Sequence, residues 1–508
     1  MFRLRNLLLQ SLQGLSIGWL LLIAAPTFSQ TNLSQAIDQA LSKRCLDAGQ
    51  TGVSVISLPS GNVLHAYNMD TPLLPASVMK LVTTAAALHY LGPEYRFQTR
   101  VLHTGQRVGN VIQGDLVIVG GGDPKISPQT LWHIADQLKK SGIDEVSGGL
   151  IADTHFFDSY DHPPDWQDDG SGQRAYNAKM GALSINYNIV AVHIRPGNHA
   201  GESLNVWLEP SSTYMVINNT GKTLQRGRNS VSARRLEELG MQQTVATSPS
   251  TVQINVQGSL RTDASERVIY LNVDDPARFA VETFRAYLQQ VGIQVAGPTE
   301  VRSVPTSGKL IYRHESPPLS WVLKELNTYS NNFMAEQVVK TISAHISNTP
   351  GSNAQSTELI KQFISSSGAN LQGTYLADGS GLSRNNRLTV HTITDVLKIM
   401  YQRFDIGPDF LSVLRVMGAD GERSKRFSNS PAKARVRAKT GTLAGVSTLA
   451  GYVASENNQV YAYALFLNNN RCGHDGADAV ENAIVNAIYS FADAVSAQTH
   501  YTLDTSRQ

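Results

Sequence analysis

The chain has 508 residues, 41% of them hydrophobic, with 43 basic and 41 acidic side chains and a formal net charge of +2. That length and apolar content are enough for a large core and more than one domain. The balanced charge, without a long single-sign block, leaves no nucleic-acid footprint.

At the N-terminus Arg3 and Arg5 precede an apolar run from Leu15 to Ala25, and Pro26-Thr-Phe-Ser-Gln30 follows. A charged n-region, a short apolar h-region and a small-residue exit are the pattern of a secretory signal peptide, here 1–29 with cleavage after Ser29. The run is too short for an ordinary transmembrane helix, and an uncleaved anchor is the alternative. No second apolar span follows, so an exported protein of the periplasm or cell envelope, without a stable membrane span after cleavage, is expected. Cys45 and Cys472 are the two cysteines. In an exported protein they form one disulfide tying the chain's ends, or stay as two thiols; sequence fixes no Cα–Cα distance.

Leu33, Ala36, Ile37, Ala40 and Leu41 recur at helical spacing, and strands are expected at 52–58 and 63–67 around the turn Pro59-Ser-Gly-Asn62. Residues 75–91 then read as a helix apolar on nearly every side, stopped by Gly92-Pro93. Ser77 and Lys80 do not fit such a core helix, yet their i, i+3 spacing places them on one face. Burial drives a lysine toward the neutral amine, and a neutral amine beside a serine hydroxyl activates a nucleophile. Strands are expected at 97–103, 110–119 and 148–151, an amphipathic helix at 129–141, and a loop around 161–169. Short alternating runs between 188 and 272 suggest a small β-rich module, and 275–291 restores a helix. Helices at 319–326, 333–346, 357–366 and 389–404 precede an antiparallel meander of 435–442, 446–454 and 459–468 and a final helix. The first piece, 31–95, and the last, 306–496, are expected to complete one another as a split α/β (α+β) domain, with the middle inserted at a surface turn.

Three motifs could carry chemistry. Ser77-Val-Met-Lys80 has a decoy of equal spacing, Ser430-Pro-Ala-Lys433, which lies in a polar, proline-containing loop. Ser330-Asn-Asn332 is one of several Ser-x-Asn triplets, but it alone falls between two predicted helices of the split domain. Lys439-Thr-Gly-Thr442 is the only Lys-Thr-Gly, at the end of a strand-like run. A glycine there marks close approach of a ligand or another backbone, and an edge strand can pair with a peptide. The cluster His155, Asp158, Asp161 and His162 lacks a metal-ligand spacing, and Gly120-Gly-Gly lacks the setting of a phosphate loop, so neither metal nor nucleotide cofactor is expected.

In their order Ser-x-x-Lys, Ser-x-Asn, Lys-Thr-Gly, the three motifs resemble the signature of penicillin-binding proteins and serine β-lactamases. With the wide gap from Ser77 to Ser330, and with Gly121-Gly-Asp-Pro124, Asp153-Thr-x-x-Phe157, Ser330-Asn-Asn-x-x-Ala-Glu336 and Asp378-Gly-Ser-Gly-Leu-Ser383, the chain resembles the class C low-molecular-mass penicillin-binding proteins, the D-alanyl-D-alanine carboxypeptidase/endopeptidase family. The resemblance implies a penicillin-binding-protein/serine β-lactamase-like domain, an antiparallel sheet flanked by helices. It further implies an inserted domain II (96–189 and 266–305) holding a small β-rich domain III (190–265). Ser77 would be the nucleophile, Lys80 its base, kept neutral by burial and by Lys439, and Ser330 a proton relay. Asn332, Lys439, Thr440, Gly441 and Thr442 would hold a stem peptide ending in D-Ala-D-Ala, backbone N–H groups of Ser77 and Thr442 would form the oxyanion hole, and Asp153 would face a diamino group of the stem. β-Lactam antibiotics would be trapped covalently. The alternatives are a β-lactamase or esterase on the same fold, and a catalytically idle cell-wall-binding scaffold.

Overall fold

The computed structural model describes residues 27–163, 166, 172–236, 251–303, 305, 307–419, 426–455 and 459–504. Of the expected leader 1–29, residues 1–26, with Arg3, Arg5 and the apolar run 15–25, lie outside them. Among the described residues no helix is long and apolar enough to cross a membrane.

Strand Val460–Leu467 shows why the part formed by the first and last segments has three layers. Tyr461, Tyr463, Leu465 and Leu467 point into one core, while Ala462, Ala464 and Phe466 point into another. A strand's side chains alternate, so a strand apolar at every position must be covered on both faces. It lies inside a six-stranded antiparallel sheet in the order Arg415–Val416, Val436–Leu443, Val446–Ala454, Val460–Leu467, Thr51–Ser57, Val63–Tyr67. Helices Thr27–Leu41 and Gly473–Asp504 cover one face through Leu33, Ile37, Val480 and Ile484. The other face carries Met79–Leu91, Leu319–Tyr329, Asn332–Ser347 and Val390–Gln402. Met79–Leu91 is central, with every residue from Met79 to Leu88 buried, as its all-round apolar sequence requires. Gly92, at φ +79°, ends it by donating its N–H to Leu88 O.

The insert is built on a five-stranded mixed sheet, Thr299–Arg302, Leu150–Asp153, Leu116–Val119, Gln98–His103, Lys309–Glu315, backed by helices Pro128–Lys140 and Pro276–Gln290. A small sheet joins Gln294–Val295, Glu145–Val146, Val111–Gln113 and Gln106–Val108. Beyond it lie Asn205–Glu209, Ile189–Arg195, Arg267–Asn272 and a second sheet on Val252–Arg261, which carries Met215–Asn219, Lys222–Leu224 and Ser230–Arg235. One core, from Leu116 to Ile254, runs through all of these.

One expected strand needs correction. The strand expected at 110–119 is two strands of different sheets, broken at Gly114. Its φ of +155° and a Cβ position 2.4 Å from Thr104 O admit only glycine. Lys309–Glu315, expected within the segment 306–496, pairs with Gln98–His103 and covers an edge of the insert's sheet that would otherwise stay unpaired. Likewise Arg267–Asn272, expected in domain II, pairs with Ile189–Arg195 of the small module. Of the two alternatives for the cysteines, Cys45 and Cys472 are bridged, with Cα atoms 4.9 Å apart.

Candidate active site

Ser77 lies in a single 3-10 turn, Ala76–Val78, that leads into the Met79–Leu91 helix. Ala76 holds φ at +45°, a conformation that an alanine adopts only when its surroundings enforce it. The enforcing contacts are visible. Thr448 Oγ1 donates to Pro75 O at 2.9 Å, and a Cβ on Gly381 would lie 1.8 Å from Ala76 O. One turn on, fully buried Lys80 donates from Nζ to Ser77 Oγ at 3.1 Å, Asn332 Oδ1 at 2.8 Å and Ser380 O at 2.6 Å.

Ser330-Asn-Asn332 forms an elbow between two helices. Ser330 ends Leu319–Tyr329 in the left-handed conformation at φ +53°, donating its N–H to Leu326 O. Asn331 caps the next helix by accepting from Met334 N at 3.0 Å. The elbow aims Asn332 at Lys80, while its Nδ2 donates to Tyr176 O at 3.2 Å. One turn along the same helix face, buried Glu336 accepts the N–H groups of Gly379 and Ser380, at 3.0 and 2.7 Å, and Asn353 Nδ2 at 2.7 Å. Asp378 gathers the following loop by accepting from Gly381 N, Ser383 N, Asn386 Nδ2 and Trp166 Nε1. The two carboxylates thus fix the loop whose Ser380 carbonyl receives Lys80.

Strand Val436–Leu443 supplies the third wall. Lys439, also buried, donates to Ser330 Oγ at 2.8 Å and to Thr440 O at 2.6 Å. A Cβ at Gly441 would stand 2.7 Å from Ser77 N and 2.3 Å from Thr448 Oγ1, so only glycine lets the strand run this close to Ser77. A cavity of about 450 Å³ opens between the walls, lined by Ser77, Ser330, Asn332 and Thr442 with Tyr176, Leu382 and Arg384.

Burial pushes Lys80 down to about 8, against the opposing pull of Asp378 and Glu336. Burial, and then the charge of Lys80, drive Lys439 well below the usual lysine range. Burial thus favours the neutral amine at Lys80, and the two buried lysines disfavour each other's charge. Burial, with Asp378 as the next cause, raises Glu336 to about 8.

The structure brings together Ser77, Lys80, Ser330, Asn332, Lys439 and Thr442, with Thr440 and Gly441 taking part through a carbonyl and an absent side chain. It does not bring in Asp153. That carboxylate is wholly buried at the end of Leu150–Asp153 and accepts from His155 N and Nδ1, at 3.1 and 2.6 Å, away from the Ser77 cavity. His155, Asp158 and Asp161 are taken up by Asp153, Lys340 and Lys179, and no metal-holding group occurs among the described residues. Sequence reasoning missed Tyr176, which acts through its carbonyl and so leaves no side-chain signal, and Arg384, directly after the stretch Asp378–Ser383.

A serine one turn from a buried lysine, faced by a second serine–lysine pair under a strand edge, defines a serine acyl-enzyme hydrolase on a helix–sheet–helix scaffold. The comparisons with known proteins identify which kind. The model of the D-Ala-D-Ala carboxypeptidase 3 (S13) family matches residues 33–491, and the chain belongs to that family. It is 32% identical over 482 residues to a D-alanyl-D-alanine carboxypeptidase of an Actinomadura species, covering 91% of this chain and 85% of that one. Similarity to the D-alanyl-D-alanine carboxypeptidase DacB of Haemophilus influenzae is 26% over 450 residues, covering 88% and 90%. The crystal structure of penicillin binding protein 4 (dacB) from Haemophilus influenzae superposes with a TM-score of 0.75 at 24% identity, covering 91% of this chain and 99% of that one.

Proposed function

We propose that this serine-type D-alanyl-D-alanine carboxypeptidase works through an acyl-enzyme on Ser77. The observation that carries the assignment is the 3.1 Å contact between Ser77 Oγ and the amine of a wholly buried Lys80. Ser77 Oγ attacks the carbonyl carbon between the two D-alanines while its proton passes to neutral Lys80 Nζ. The oxyanion forms between the N–H groups of Ser77 and Thr442, brought close by Gly441. The proton taken up by Lys80 is handed on through Ser330, which is hydrogen-bonded to Lys439, to the departing D-alanine nitrogen as the C–N bond breaks. Water then cleaves the ester by the same proton path reversed. Asn332 holds the side amide of the stem peptide, and Lys439 with Thr440 and Thr442 receives its terminal carboxylate, whose charge favours a protonated Lys439. A β-lactam ring opens at the same serine and leaves a slowly hydrolysed ester, and a cross-linked stem is cut by the same chemistry.

An exported protein acting on peptidoglycan fits the Cys45–Cys472 bridge, since disulfides persist in oxidising compartments. The test is release of D-alanine from a stem pentapeptide ending in D-Ala-D-Ala. The full chain is expected to release it and Ser77→Ala to release none, with unchanged thermal unfolding. Turnover by the alanine variant would remove Ser77 from the nucleophile's role.

A further inference from the structure

We propose that the sheet face around Arg100, with the cavity beside it, is a binding site for an oxyanion of the carboxylate or phosphate class, separate from the Ser77 cavity. Phe97, Thr99 and Val101 are buried in alternation, so Arg96, Gln98 and Arg100 turn to the opposite face. Strand Lys309–Glu315 sets Arg313 directly opposite Arg100 and Glu315 opposite Gln98. Like charges directly opposite on an antiparallel pair repel, which leaves a place for an anion between them. The nearby carboxylate is already engaged: Glu315 accepts from Gln98 Nε2 at 3.3 Å. Among the described residues no carboxylate lies within 4.0 Å of either the Arg100 or the Arg313 guanidinium.

Beside this face a cavity of about 290 Å³ opens where the insert meets the catalytic part, lined by Arg96, Arg100, His155 and His345 and by the backbone at Gly120 and Gly121. No carboxylate lines it. Asp153 shares this sheet face two strands from Arg100, but it is buried and committed to His155 Nδ1 at 2.6 Å, which fixes that ring. The other acid in the neighbourhood, buried Asp123, is pushed up by burial to about 7, which weakens its opposing charge. Two guanidinium groups, with the His345 imidazole beside them, are donors of the kind that oxyanions take.

Such groups come from free or polymer-borne phosphate and from the carboxylates of wall peptides. The test is calorimetric titration of the full chain with inorganic phosphate and, separately, with a disaccharide-tripeptide lacking the D-Ala-D-Ala end. At least one probe is expected to bind. Arg100→Ala with Arg313→Ala is expected to weaken binding by about tenfold or more, with D-alanine release and the unfolding midpoint unchanged. Arg100→Gln, which preserves bulk, serves in place of the double variant should that one unfold. Binding of phosphate alone assigns the site to phosphate, and binding of the tripeptide alone assigns it to wall carboxylates. Failure of both probes to bind the unaltered chain, or equal binding by the variants, overturns the proposal.

Discussion

Lys80 carries opposite demands. It must be neutral to accept the proton of Ser77, yet Asp378 and Glu336 pull it toward the charged form while burial lowers it to about 8. The sign of its pH dependence follows. The base is the deprotonated amine, so acylation by a penicillin should rise about tenfold per pH unit below that value and level off above it. A flat profile from pH 6 to 9 in stopped-flow acylation would exclude Lys80 as the base. Lys80→Ala should lower the acylation rate by about 10²–10⁴ with the fold retained. Glu336 acts one step behind: it satisfies two backbone N–H groups of the loop that receives Lys80. Glu336→Ala strands these buried donors and should cost about 1–3 kcal/mol in urea unfolding. The residues with side-chain chemistry were legible in the sequence, because a lysine on a core helix and a glycine in a strand are misfits with a physical cost. Asp153 shows the converse: sequence displays a carboxylate but not that His155 holds it.

At the scale of elements, the site is an elbow, a turn and a strand edge locked together by close approach. Gly441 is where strand Val436–Leu443 passes the nucleophile's N–H. Gly441→Ala should force the strand off Ser77 and lower acylation by about 10²–10³, the loss of one oxyanion donor, with a cost of about 1–3 kcal/mol in urea unfolding. Acylation at the unaltered rate would show that the strand edge is not part of the oxyanion site. The meander and the buried helix were legible because their burial patterns are extreme: one helix apolar all round, and strands apolar on both faces. Lys309–Glu315 was not, since no residue of it is fully buried and its partner lies more than two hundred residues earlier. The break at Gly114 was hidden too, because the runs on either side are both strand-like and only their sheets differ.

For the whole molecule, the interruption of the catalytic part by the insert makes its closure a long-range problem. Cys45 and Cys472 are 427 residues apart, and their bridge ties the segment after the first helix to the start of the last. Cys45→Ala with Cys472→Ala should lower stability to urea by about 2–5 kcal/mol. An unchanged midpoint would mean that the Thr27–Leu41 and Gly473–Asp504 helices hold the ends together without it. The bridge was an open alternative in the sequence because pairing is a matter of distance, and distance came only with the fold. Everything in the account converges on one oxygen atom, Ser77 Oγ. The most direct test is to digest the penicillin-treated full chain and locate the penicilloyl group by tandem mass spectrometry. The account predicts a single adduct on Ser77, absent from Ser77→Ala; an adduct on Ser330 or any other residue would contradict it.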